Sequence, residues 1–246
     1  MKSSFVTIMI LGLGWLSGCT MTRTVSRIPY TPAANAATGL SQARPLVLMP
    51  LTDRRPDTLK DPERGPRLFA ALAIFGYMTE KPIREEVRGM LAAYLRRAGI
   101  RDIRLAPRSA AGPDGKPRPQ AKLPPDALVI GGVLRQFGAF VPGNPHRPDV
   151  RAKSKVVYIL KAYLRDQRAG CVIAEETFVG LGKKIADPGT EFLTRGNVDD
   201  ELLTFTVSGL DRWFRAIVGP SSRFAVAAKA GVCVKPTKGK APIASH

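Results

Sequence analysis

The 246-residue sequence predicts an α+β fold: a mostly antiparallel sheet with two main helices packed on one face, between a disordered N-terminal tether and a disordered C-terminal tail. Three observations carry this reading. Lys155–Arg165 and Cys171–Leu181 alternate apolar and polar side chains about the turn Asp166-Gln167-Arg168-Ala169-Gly170, the pattern of a β-hairpin. Two other stretches repeat apolar residues at the helical period. Both ends of the chain are basic and contain no acidic side chain.

In chain order, Leu46-Val47-Leu48-Met49 is a short apolar run ending at Pro50, as expected of a buried strand. Asp53-Arg54-Arg55-Pro56 then opens a long polar loop. From about Pro82 to Ala98, Ile83, Val87, Met90, Leu91, Tyr94 and Leu95 form one helical stripe. Glu85 and Glu86 in its first turn, Arg96 and Arg97 in its last, and Gly99 after it match the helix dipole and a left-handed C-terminal cap. Ile103-Arg104-Leu105 is a short strand and 107–126 a loop rich in Pro and Gly. Ala127–Phe140 reads as a central strand in which Gly131-Gly132 marks a bulge or a close backbone contact. After the hairpin, Asn197 or Asp199 caps a second helix with Leu202, Phe205, Gly209, Leu210, Trp213 and Ile217 on one face, ended by Gly219-Pro220.

Composition narrows the function. Hydrophobic residues at 44% suit a globular domain and exclude a wholly disordered chain. Two histidines and three cysteines are too few for most zinc or iron–sulfur sites, so neither a metal nor a cofactor is expected. The net charge of +18 is unevenly spread: residues 20–44 hold three arginines and residues 221–246 five basic side chains, leaving 29 basic against 20 acidic over 45–220. A nucleic-acid-binding domain would concentrate its charge on one recognition element, and none is expected here. Basic ends suit anionic lipid, lipopolysaccharide or cell-wall surfaces, or are solvated charge alone.

The first residues read as a secretory signal. Lys2 supplies a positive start, and Phe5–Trp15 is an apolar run too short to span a bilayer. Leu16-Ser17-Gly18-Cys19 resembles the lipobox of bacterial lipoproteins. The resemblance implies a signal peptide over 1–18, diacylglycerol on the Cys19 sulfur, cleavage before Cys19 and acylation of its new amine. The plainer alternative is an ordinary secretory peptide with a chance cysteine. Acylation would anchor the chain without a transmembrane helix. Thr20, rather than the Asp that usually retains such proteins in the inner membrane, implies an outer-membrane, periplasm-facing location. The expected layout is then a lipidated cysteine and flexible tether over 19–44, one domain over 45–220 and a basic tail over 221–246. Cys171 and Cys233, exported together, either form a disulfide or are two separate small hydrophobic side chains.

The order of these parts is similar to the small envelope lipoproteins of the YajG and transport-auxiliary type. The parts are the lipobox Leu16–Cys19, the strand Leu46–Leu51, Asp53-Arg54, the helix Ile83–Gly99, the hairpin Lys155–Leu181 and the final helix Val198–Val218. The family implies a non-enzymatic accessory role at the outer membrane, with no catalytic residues to transfer. The long insertion Pro56–Lys81 and the cysteine-containing tail depart from it.

Residues that suggest chemistry are few. Gly180-Leu181-Gly182-Lys183-Lys184 lacks the glycine and hydroxyl positions of a phosphate-binding loop and reads as a hairpin end. Glu175 and Glu176 are neighbours on a strand, so their carboxylates face opposite ways. His146, with Asp149 to orient it, is the one base a hydrolase could use, but no nucleophile accompanies it. Leu68–Met78 is apolar nearly all round within a polar loop. It is therefore either core or a contact surface, with Leu68, Phe69, Leu72, Ile74, Phe75 and Tyr77 meeting a partner or lipid. The expected function is a lipid-anchored periplasmic binding or accessory protein of an envelope transport or assembly machine, with an envelope protein as partner. The alternative is a cell-wall-active hydrolase or a cell-wall-binding organiser.

Overall fold

The computed structural model describes residues 28–55, 81–140, 153–185 and 206–234, residue 204, and short strands at 23–25, 60–61, 65–66 and 77–79. Strand β1 (Arg23–Val25) runs parallel to β6 (Tyr77–Thr79), and β4 (Lys60–Asp61) antiparallel to β5 (Gly65–Pro66), as two small ribbons. The main sheet has six strands: β2 (Leu46–Leu48), β3 (Thr52–Asp53), β7 (Ile103–Leu105), β8 (Leu128–Phe140), β9 (Lys153–Asp166) and β10 (Cys171–Ile185). Its order is β10-β9-β8-β2-β7, with β3 also on β8.

The three long strands pair antiparallel, so the expected α+β class holds, while β2 and β3 run parallel to β8, and β7 parallel to β2. The parallel join has a local cause. Helix α1 (Ile83–Arg97) lies between β2 and β7 in the chain and supplies the crossover that parallel neighbours require. Strand β2 has partners on both edges and is buried on both faces, Leu46 and Leu48 toward the helices and Val47 with Met49 on the other side. That explains its unbroken apolar run.

On the helix face, the α1 stripe of Ile83, Val87, Met90, Leu91, Tyr94 and Leu95 is buried against the sheet. Helix α2 (Leu210–Val218) buries Leu210, Trp213, Phe214, Ile217 and Val218. Val156, Tyr158, Leu160, Ala162 and Leu164 of β9 point into the same core, as their alternation predicts. Aromatic rings knit it together: Trp213 stacks on Tyr158 at 5.1 Å, and its indole N–H donates to the Phe178 carbonyl at 3.3 Å. Residues 197–203, where the second helix was expected to be capped, lie outside the described residues. Residues 206–208 are helical, and the chain turns at Gly209 before α2 begins.

Among the described residues, the opposite face is covered at one end. There Ala106, Ala110, Ala127, Val129 and Tyr163 close a second cluster over Val47 and Met49, formed with the loop after β7. The Tyr163 hydroxyl donates to the Gly115 carbonyl at 2.8 Å, and burial pushes its pKa up. This is where the paired glycines act through close contact: a Cβ at Gly131 would sit 2.3 Å from the Tyr163 oxygen. The β8 irregularity lies further on, between Leu134 and Gln136.

Two boundary expectations are corrected. Within the stretch read as tether, residues 28–44 form a strap along the helices, with Ile28 and Leu40 buried. The Tyr30 hydroxyl and the Ala33 N–H donate to Asp211, and the Thr38 hydroxyl and Gly39 N–H to the Val218 carbonyl. The strap needs few apolar residues because helix groups satisfy its backbone. Within the stretch read as tail, helix α3 (Arg223–Ala230) packs on the sheet, its Phe224 edge-on to Phe178 at 5.1 Å. Ser222 caps it by accepting from the Ala225 N–H at 3.1 Å.

Candidate functional site

The sheet has two ends. The near end carries Leu128, Asp166 and Cys171; the far end carries Phe140, Lys153 and Ile185. Toward the far end, on the face away from the helices, β9 and β10 place Ile159 opposite Val179 and Val157 opposite Leu181. Phe178 turns inward beneath α3, so strand alternation turns Val179 outward. Val179 is 55% and Leu181 67% exposed, against half-buried Val157 and Ile159. The ion pair Lys161–Glu175, 2.7 Å apart, borders this apolar stripe on the same face.

Several described ionisable groups around the sheet are engaged within the fold. Glu176 faces the helix side, 3.6 Å from Arg223 of α3, so Glu175 and Glu176 are on opposite faces as expected. Arg55 is wholly buried, its guanidinium on the Asp53 carboxylate at 2.8 Å. Arg44 grips Asp166 with two nitrogens at 2.8 and 2.6 Å. Burial, followed by the hydrogen bond to Asp211, raises the Tyr30 pKa well above its usual value. The Tyr158 hydroxyl is likewise pushed up by burial, and it donates to the Thr206 carbonyl. No cluster of three metal-ligating side chains occurs among the described residues.

Of the residues singled out by sequence, Cys19, Leu68, Phe69, Leu72, Ile74 and Phe75 lie outside the described residues, as do His146 and Asp149. Tyr77 begins β6. Cys171 and Cys233 are joined by a disulfide with Cα atoms 5.8 Å apart, and the Val234 N–H donates to the Val172 carbonyl at 2.9 Å. Gly180–Lys184 is continuous β10 rather than a loop, and a Cβ at Gly180 would lie 2.6 Å from the Tyr158 ring. The glycine there accommodates an aromatic ring, not a phosphate.

The apolar stripe was missed by the sequence reading, though a signal existed. Val156-Val157-Tyr158-Ile159-Leu160 is apolar without alternation, which marks a strand with something to cover on both faces. Among the described residues, no helix is long and apolar enough to cross a membrane.

The sequence matches no protein-family model and no curated protein. Among solved structures, the chain is similar to protein XCC0632 from Xanthomonas campestris, described as DUF330, at 11% identity and a TM-score of 0.43 over 85% of this chain and 98% of that one. It is also similar to the hypothetical protein CT253 from Chlamydia trachomatis, at 13% identity and a TM-score of 0.38 over 75% of this chain and 99% of that one.

Proposed function

We propose that the chain is a lipid-anchored envelope protein, held at the outer membrane through Cys19 and facing the periplasm. It acts by binding an envelope protein, as an accessory of a transport or assembly machine, and catalyses no reaction. The observation that carries the binding role is the open stripe of Val157, Ile159, Val179 and Leu181, apolar side chains gathered on one face and bordered by an ion pair. The engagement of Arg44, Asp166, Arg55 and Glu176 in structural contacts favours binding over catalysis. The anchor is supported by Leu16-Ser17-Gly18-Cys19.

The test combines fatty-acid labelling with crosslinking in intact cells. Wild type incorporates labelled fatty acid and Cys19→Ala does not. Val179→Asp with Leu181→Asp keeps the wild-type melting transition, because both side chains already face solvent, yet loses the crosslinked partner. A folded double variant that retains every crosslink would sink the stripe as a binding surface, and fatty acid on Cys19→Ala would sink the anchor.

A further inference from the structure

We propose that strand β10 pairs edge to edge with β10 of a second copy of the chain, antiparallel about a two-fold axis at Gly180. The proposal rests on the stripe of Val157, Ile159, Val179 and Leu181 being a binding surface, and it names the occupant.

The edge is open where the stripe lies. Strand β10 ends the main sheet, and among the described residues it pairs as a strand on one side, with β9. The near end of its other edge is taken by the segment after α3, through the Val234 N–H on the Val172 carbonyl and the Cys171–Cys233 bridge. From Thr177 to Gly182 the strand has no proline, no charged residue and no break in register, the irregularity lying further back between Val172 and Ala174. An edge without these guards is a template for another strand.

The residues of β10 choose both the occupant and the register. A two-fold axis along the sheet normal joins like faces, so opposed residues share a face. With the axis at Gly180, Val179 meets Leu181 of the second copy, and Leu181 meets its Val179. Ile159 already lies beside Val179, and Val157 beside Leu181. Each row across the joint then holds four apolar side chains: Ile159 and Val179 of one copy, Leu181 and Val157 of the other. On the helix side the opposed positions are Gly180 with itself and Phe178 with Gly182, so no two large side chains compete. The same register sets the Lys184 position opposite Glu176 of the second copy, and the Lys183 position one step from its Glu175, a basic end against an acidic one. Moving the axis to Val179 would oppose Leu181 to Thr177, and moving it to Leu181 would oppose Val179 to Lys183. The pattern is therefore complementary to itself about Gly180.

This axis also suits two chains held in one membrane. It keeps both helix faces on the same side of the joined sheet, and the strap with its buried Ile28 and Leu40 lies on that face. Both copies thus present Ile28 on one side, as two acyl anchors in one bilayer require. An edge contact of this length is at the small end of specific interfaces, below about 1,200 Å². Confinement to one membrane raises the effective concentration that such a contact needs.

The test is disulfide trapping in membranes from cells that make two differently tagged full-length copies, one Val179→Cys and the other Leu181→Cys. Both side chains are exposed, so the substitutions spare the fold, and wild type, with Cys171 and Cys233 bridged, sets the background. After oxidation with copper–phenanthroline, the mixed pair is expected to yield several-fold more covalent dimer than either variant with itself. Equal yields in the three combinations, a self-pair ahead of the mixed pair, or no dimer above background would overturn the proposal. Crosslinking of wild type against Val179→Asp with Leu181→Asp separates this failure from that of the stripe. If a different envelope protein is captured by wild type and lost in the double variant while no dimer forms, the second copy is wrong and the stripe stands; if neither is found, both fall.

Discussion

Asp166 ties together three parts of the chain that are distant in sequence. Its two oxygens accept from Arg44 of the strap, one also accepts from the Arg168 N–H, and Arg44 in turn donates to the Asp126 carbonyl at 2.8 Å. The Arg44 hydrogen bond, opposed by burial and aided by the backbone N–H groups of Arg168 and Ala169, holds the Asp166 carboxyl down at about 2. The ordinary value is 3.8, so the carboxylate contributes its stability above about pH 4 and loses it as pH falls toward 2. Asp166→Asn is expected to cost about 2 kcal/mol at pH 7. Denaturant titration across pH should show the gap between wild type and variant closing near pH 2; a gap that stays constant would contradict the role given to this ion pair.

At the level of elements, residues 221–234 pack on the sheet and belong to the folded domain. Helix α3 covers Phe178, and the segment beyond it returns to the edge strand, where Val234 bonds to Val172 beside the bridge. The two cysteines are 62 residues apart in sequence, and closing a loop of that size restrains the unfolded chain by about 4 kcal/mol in the chain-entropy model. Cys171→Ser with Cys233→Ser should lower the unfolding free energy by roughly that amount, up to about 4 kcal/mol. Thiol titration of unreduced, denatured wild type should find neither cysteine free, and free thiols at both positions would rule the bridge out.

At the scale of the whole molecule, the strap makes residues 28–44 part of the fold. A chain beginning at Ile28 keeps the Asp211, Val218 and Asp166 contacts; one beginning at Pro45 loses them all. It also uncovers the sites of Ile28 and Leu40, each worth about 1.5–3 kcal/mol when fully buried. The shorter chain is therefore expected to lose about 5 kcal/mol, a large share of a typical domain's stability. Equal unfolding midpoints for the two truncated chains would show that the strap does not belong to the domain.

Local periodicity was enough to find what depends on near neighbours. The α1 stripe from Ile83 to Leu95 and the alternation of Val156 to Leu164 each record one buried face, and both elements are where the spacing puts them. The resemblance of Leu16-Ser17-Gly18-Cys19 to a lipobox is also local, so the proposed anchor rests on the sequence alone. What depends on distant partners was not legible. The strap looked like tether because its backbone is satisfied by Asp211 and Val218, some 180 residues away, instead of by its own regular structure. Helix α3 looked like tail because its burial comes from parts of the chain distant in sequence: Phe224 packs on Phe178 of β10, and Ala225 lies against Gly39 of the strap. Arg55 looked like a loop charge, yet its guanidinium is wholly buried on Asp53. The open stripe required the pairing of Ile159 with Val179 and of Val157 with Leu181. Sequence spacing assigns side chains to the faces of a single strand; only the tertiary structure decides which faces meet and which stay exposed, because burial is a property of neighbours and not of a residue.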